Sequence, residues 1–154
     1  MADYLYSASA DAVGLTAARK TVLQIAVPAA INISIVAIDI TFDGVNASAT
    51  PVLVTLERQA SAGTGGVALT TNWGPNPLDP NTPATTCTAL KGPWATTEPV
   101  LTSVYKAWRI PPTGGLLWPF PLDQEPVCPS SSWIALVVNP GASVNATATI
   151  TWKQ

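Results

Sequence analysis

The chain has 154 residues, 47% of them hydrophobic and only 10% charged, with a formal net charge of −2 and a mean hydropathy of +0.29. That length suits one domain with a substantial core and is short for two. The acidic balance, with seven basic residues scattered from Arg19 to Lys153, excludes the basic stripe that nucleic-acid binding needs. The longest apolar stretch, residues 31–42, is broken by Asn32, Ser34 and Asp39 before it reaches membrane-spanning length.

A charged fraction of 10% is low against the ~25% of an average globular domain. A monomer of this mass exposes roughly 7,000–7,500 Å², so its surface is thinly charged and suits an assembly with other subunits. The opening Met-Ala-Asp-Tyr lacks the basic-then-apolar pattern of a secretory signal. Synthesis in a cytosol is therefore expected, and the sequons at Asn32, Asn46 and Asn145 read as chance in a chain rich in Asn, Ser and Thr. Cys87 and Cys128 allow one bridge, with two free thiols the default for a protein made in a reducing compartment.

In chain order, residues 1–20 read as an extended N-terminal arm, with Tyr4 and Tyr6 as anchors on this or a neighbouring subunit, or else as a frayed terminus. The rest, 21–154, reads as a single β-domain. Residues 21–27 form a strand that Pro28 breaks. In 31–42 the apolar phase changes midway, from Ile33 and Ile35 to Val36, Ile38, Ile40 and Phe42, which predicts a bulge or a bend between sheets. Asp43-Gly44 and Asn46-Ala47-Ser48 make a turn and loop. Residues 52–59 alternate as a half-buried strand with Thr55 and Glu57 outward.

The small-residue stretch 60–66 is a flexible loop, and 67–70 a short strand. Residues 72–86 contain Pro75, Pro77, Pro80 and Pro83, so they form a long excursion. A further short strand follows at 87–90. Residues 100–122 read as two strands joined into a hairpin by Pro111-Pro112-Thr113-Gly114-Gly115. In its second strand Leu116, Trp118, Phe120 and Leu122 share a face. Pro119 and Pro121 point their missing N–H groups at the other edge, which makes this an edge strand closed to further pairing. Residues 132–139 are apolar on both faces, hence central, and in the last strand Val144, Ala146, Ala148, Ile150 and Trp152 alternate inward. The sum is an all-β antiparallel two-sheet sandwich, jelly-roll or related Greek-key, of eight or nine strands with little or no helix.

No histidine is present, which removes Ser-His-Asp and Cys-His catalysis and leaves too few ligand types for a zinc site. The glycines at 63, 65 and 66 lack the Lys-Ser/Thr of a phosphate loop and lead into a strand. Asp123 and Glu125 lie two apart but in a polar loop, with nothing to raise one pKa. The chain is therefore expected not to be an enzyme and to need no cofactor or metal. Six tryptophans are many for this length. Periodicity assigns Trp133 and Trp152 to the core, while Trp108 and Trp118 flank the 111–115 loop at facing depths and can pair across it. Trp73 and Trp94 sit in loops, free to bind. Tyr4, Tyr6, Trp73, Trp94, Trp118 and Phe120 are thus the candidate partner-interface residues.

Four features in order resemble small β-sandwich proteins of tailed bacteriophages, the capsid decoration or cement proteins. They are ITFDGVNASATPVLVTLERQ at 40–59, SAGTGGV at 61–67, Leu78-Asp79-Pro80 and the later Ala107-Trp108 to Phe120 segment. The resemblance spans about two-thirds of the chain, from Asp39 to Asn139. It implies a non-catalytic virion protein, made in the host cytoplasm, that binds the major capsid protein on the outer capsid surface and stabilises the shell as a homo-oligomer, often a trimer. A carbohydrate- or receptor-binding sandwich, such as a tail or fibre adhesin, is the alternative from the exposed aromatic residues.

Overall fold

The computed structural model describes residues 3–43 and 50–154; the expected turn at Asp43-Gly44 and loop at Asn46-Ala47-Ser48 lie largely outside them. The described residues form twelve strands and no helix. These are β1 (Leu5–Leu15), β2 (Lys20–Val27), β3 (Ile33–Phe42), β4 (Val52–Gln59), β5 (Val67–Ala68) and β6 (Asn76–Pro77). They continue as β7 (Thr88–Lys91), β8 (Leu101–Ile110), β9 (Gly115–Pro119), β10 (Val127–Cys128), β11 (Ser132–Asn139) and β12 (Val144–Lys153). All pairings are antiparallel. The first sheet runs β10-β3-β12-β1-β6, with β9 also on the free side of β3, and the second runs β5-β7-β2-β11-β4-β8.

The long strands pair in a nested order: β1 with β12, β2 with β11, β3 with β9 and β4 with β8. The chain thus runs out through four strands and returns through four, each returning strand lying beside its outgoing counterpart.

Apolar alternation explains why these segments face each other. β12 buries Val144, Ala146, Ala148, Ile150 and Trp152 and leaves the intervening residues half-exposed. β11, between β2 and β4, is covered on both faces as its composition predicts. The phase change in β3 is a bulge: Thr151 opposes Ala37 and Trp152 opposes Ile35, so Val36 is the extra residue.

Three expectations are corrected. The N-terminal arm is a sheet strand: β1 lies between β12 and β6, with Tyr6, Ala8, Ala10, Val13 and Leu15 in the core. Small side chains alternate there as faithfully as large ones, but alanine contributes little β propensity to reveal it. The 100–122 hairpin does not form. β8 pairs with β4 in the second sheet and β9 with β3 in the first, so the 111–114 connection crosses between sheets. Alternation marks both strands but does not say which neighbour each will take. Third, the outward face of β4 is buried, with Glu57 2% and Gln59 1% exposed.

A polar layer explains that burial. Gln24 Nε2 donates to Gln59 Oε1 (2.6 Å) and to the Ser61 carbonyl (3.0 Å), and Gln59 Nε2 donates to Thr21 Oγ1 (3.1 Å). Glu57 accepts from Thr55 Oγ1 (2.7 Å) and pairs with Arg19. The 60–66 loop folds back over this row and is tied down by Trp94, whose Nε1 donates to the Ala62 carbonyl (2.7 Å). A Cβ on Gly66 would stand 2.7 Å from the Trp94 ring, and Gly63 has φ +67°, so the small residues of this loop are dictated by contact and conformation.

Candidate partner-binding site

The sandwich is open along the side where β8, an edge of the second sheet, faces β9, an edge of the first. Each strand alternates, so Trp108 and Trp118 both point into the gap, with ring centroids 5.8 Å apart and planes at 60°. Lys106 shares the Trp108 face of β8, and its Nζ lies 5.0 Å from the Trp118 ring centroid, a cation–π distance. Tyr105 is the extra residue of a bulge in β8, since Leu56 opposes Lys106 and Glu57 opposes Val104. Its hydroxyl donates to the Val127 carbonyl (2.8 Å), and burial raises its pKa. These residues, with Phe120, Pro121, Gln124 and Pro126, line a cleft of about 370 Å³. Beside it Leu117 and Leu122 are 69% and 77% exposed.

The backbone of this edge is closed to strand addition. Phe120 N–H donates to the Val36 carbonyl (2.8 Å), so Pro119 and Pro121 face away from β3 and offer no N–H to a further strand. β8 carries two bulges, at Tyr105 and Thr102, and the charge of Lys106, features that discourage edge pairing. Recognition here is therefore by side chains.

Of the six candidate residues, Trp118 and Phe120 come together in this cleft. Tyr6 belongs to the core: it is 2% exposed, stacks on Trp152 at 6.0 Å, and donates to the Pro83 carbonyl (3.0 Å), so it is no partner anchor. Trp94 is likewise buried, holding the glycine-rich loop as described. A position outside any strand does not make a tryptophan exposed when a neighbouring loop folds over it. Tyr4 is exposed on a backbone pinned by reciprocal hydrogen bonds with Gln154 (3.1 and 3.0 Å). It joins Asp3, Leu5, Leu78, Asp79 and Thr82 around a second, shallower cleft of about 300 Å³ beside β6. Trp73 is exposed on the 72–86 excursion, and its carbonyl accepts from Ser9 N–H (2.9 Å).

Lys106, Tyr105 and Gln124 escaped the sequence reading, although Lys106 shares the parity of Trp108 and so was findable from it. The carboxylates at 123 and 125 do not act as a pair. Lys153 holds Glu125 at 3.0 Å, and this hydrogen bond lowers the Glu125 pKa below its ordinary value. Cys87 and Cys128 are both free and buried. Compared with protein-family models, curated proteins and solved structures, the chain matches none.

Proposed function

We propose that this protein is a structural virion protein that docks on the outer surface of an assembled phage capsid and stabilises it, as a symmetric oligomer such as a trimer. The observation that carries the reading is the aromatic cleft at the β8–β9 side, with Leu117 and Leu122 standing exposed beside a strand edge that prolines close. Such a surface gains by covering apolar side chains and cannot propagate a sheet. The major capsid protein is the proposed partner, and repeated copies on a symmetric shell would add many modest contacts. Nested pairing supports reading the sandwich as a jelly roll, an arrangement that recurs in viral capsid and lectin domains.

The test is occupancy on particles. Wild-type protein added to capsids is expected to co-sediment at a fixed ratio to the capsid subunit and to raise the temperature of capsid disruption. L117A combined with W118A should lower occupancy at least tenfold while the circular dichroism of the free protein is unchanged. Absence of co-sedimentation at any concentration sinks the proposal.

One observation favours an adhesin as the second reading: Trp73, 45% exposed on a proline-rich excursion, is placed to stack on a sugar ring. That reading expects W73A to abolish glycan or cell binding and to leave capsid binding untouched.

A further inference from the structure

We infer that copies of this chain join head to tail, the Tyr4, Leu5 and Leu78 edge of one copy packing into the Trp118–Phe120 cleft of the next, with Lys106 meeting Asp3 and Asp79 across the joint. This deepens the oligomeric part of the proposed function by naming the interface, and its test needs no particle.

The two surfaces lie at opposite edges of one sheet. β9 and β6 are separated by β3, β12 and β1, four intervals or about 19 Å. One copy can therefore present both edges at once to different neighbours. Both edges are apolar and neither takes a further strand. Leu78, Tyr4 and Leu5 are 54%, 41% and 41% exposed on the β6 side, where the two-residue strand ends in Pro77. The opposite edge has Pro119 and Pro121. The contact is then side chain to side chain, with the projecting Leu78 and Tyr4 facing an aromatic cleft of about 370 Å³.

Charge selects this pairing over the alternatives. Among the described residues lining the β9 cleft Lys106 is the only charged one, and among those lining the β6 cleft Asp3 and Asp79 are the only ones. None of the three makes an ion pair among the described residues, whereas Glu125 and Lys153, the other charged side chains at this end of the first sheet with a printed partner, satisfy each other. Asp123 stands on the exposed 121–124 turn and does not line the cleft. An isologous contact through either edge would bring like charges together as they lose water; the head-to-tail contact brings opposite ones together. A heterologous contact that closes makes a ring, the symmetry a capsid threefold or quasi-threefold position accepts.

The experiment is sedimentation velocity and native mass spectrometry of the full chain at about 100 µM, where even micromolar association is visible. Wild type is expected as a closed oligomer that weakens with added salt. K106E and the double variant D3K/D79K should each dissociate at least tenfold more readily, with unfolding temperatures unchanged because all three side chains are at the surface. Mixing the two variants should restore association, and so should combining all three changes in one chain, since both combinations return opposite charges to the joint. A wild-type chain that stays monomeric, an oligomer indifferent to both reversals, or reversals that no combination rescues would overturn the inference. Assembly without capsid binding would sink the proposed function alone; capsid binding by a monomer would sink the inference alone.

Discussion

An aromatic side chain in this protein is core or contact according to what its neighbours leave uncovered. Trp152 is fully buried in β12 and stacks on Tyr6, so removing it opens a cavity that the two packed sheets cannot close. W152A is expected to cost about 3–5 kcal/mol in chemical denaturation, whereas L117A, on an exposed residue, should stay within about 0.5 kcal/mol of wild type. Gly66→Ala adds a Cβ into the Trp94 ring and should cost about 1–3 kcal/mol by the same measurement. The cysteines make a different check. Burial pushes the Cys128 thiol up to about 12 and raises Cys87, so neither holds appreciable thiolate near neutral pH. Alkylation at pH 8 is expected to label neither in the folded protein and both after unfolding; mass spectrometry counts the adducts.

At the scale of strands, the second sheet carries its polar row where a half-buried strand was expected. β4 was legible as a strand because Val52, Val54 and Leu56 alternate with Thr55 and Glu57. The cover over Thr55, Glu57 and Gln59 was not legible, because it is supplied by Arg19 and by a loop whose small residues carry no periodicity. Glu57→Ala leaves Arg19 without its carboxylate and Thr55 Oγ1 without its acceptor. Arg19 is about one-third exposed and rehydrates in part, so the expected loss is about 1–3 kcal/mol rather than the larger figure for a fully buried pair. The same scale explains the missing hairpin. Both strands and their inward faces, including the Trp108–Trp118 approach, were readable from parity; the partner of each was set by the nested return of the whole chain.

For the whole molecule, the Glu125–Lys153 pair joins the 121–126 segment to the last strand, and its titration gives a pH signature. The hydrogen bond from Lys153 lowers the Glu125 pKa below its ordinary 4.5, so its contribution to stability is complete above pH 4.5 and is lost as pH falls through the lowered value. The same contact raises Lys153 above its ordinary 10.5, so that contribution is complete below pH 10.5 and is lost as pH rises through the raised value. Unfolding temperatures of wild type and E125Q should therefore differ by a constant amount between these limits and converge in acid.

By itself the sequence determined that this chain is an all-β sandwich with a thinly charged surface, where its main strands lie, which residues of β11 and β12 face inward, and that Pro119 and Pro121 close an edge. Each of these follows from local chemistry: side-chain alternation, a missing N–H, a count of charges. Only the tertiary structure decided that the first strand is internal, that Tyr6 and Trp94 are buried, that β8 and β9 belong to different sheets, and that Lys106 stands with Trp118 at one edge while Asp3 and Asp79 stand at the other. Those facts depend on which segments meet across long stretches of chain, and the period-two pattern of a strand is the same whichever neighbour it pairs with.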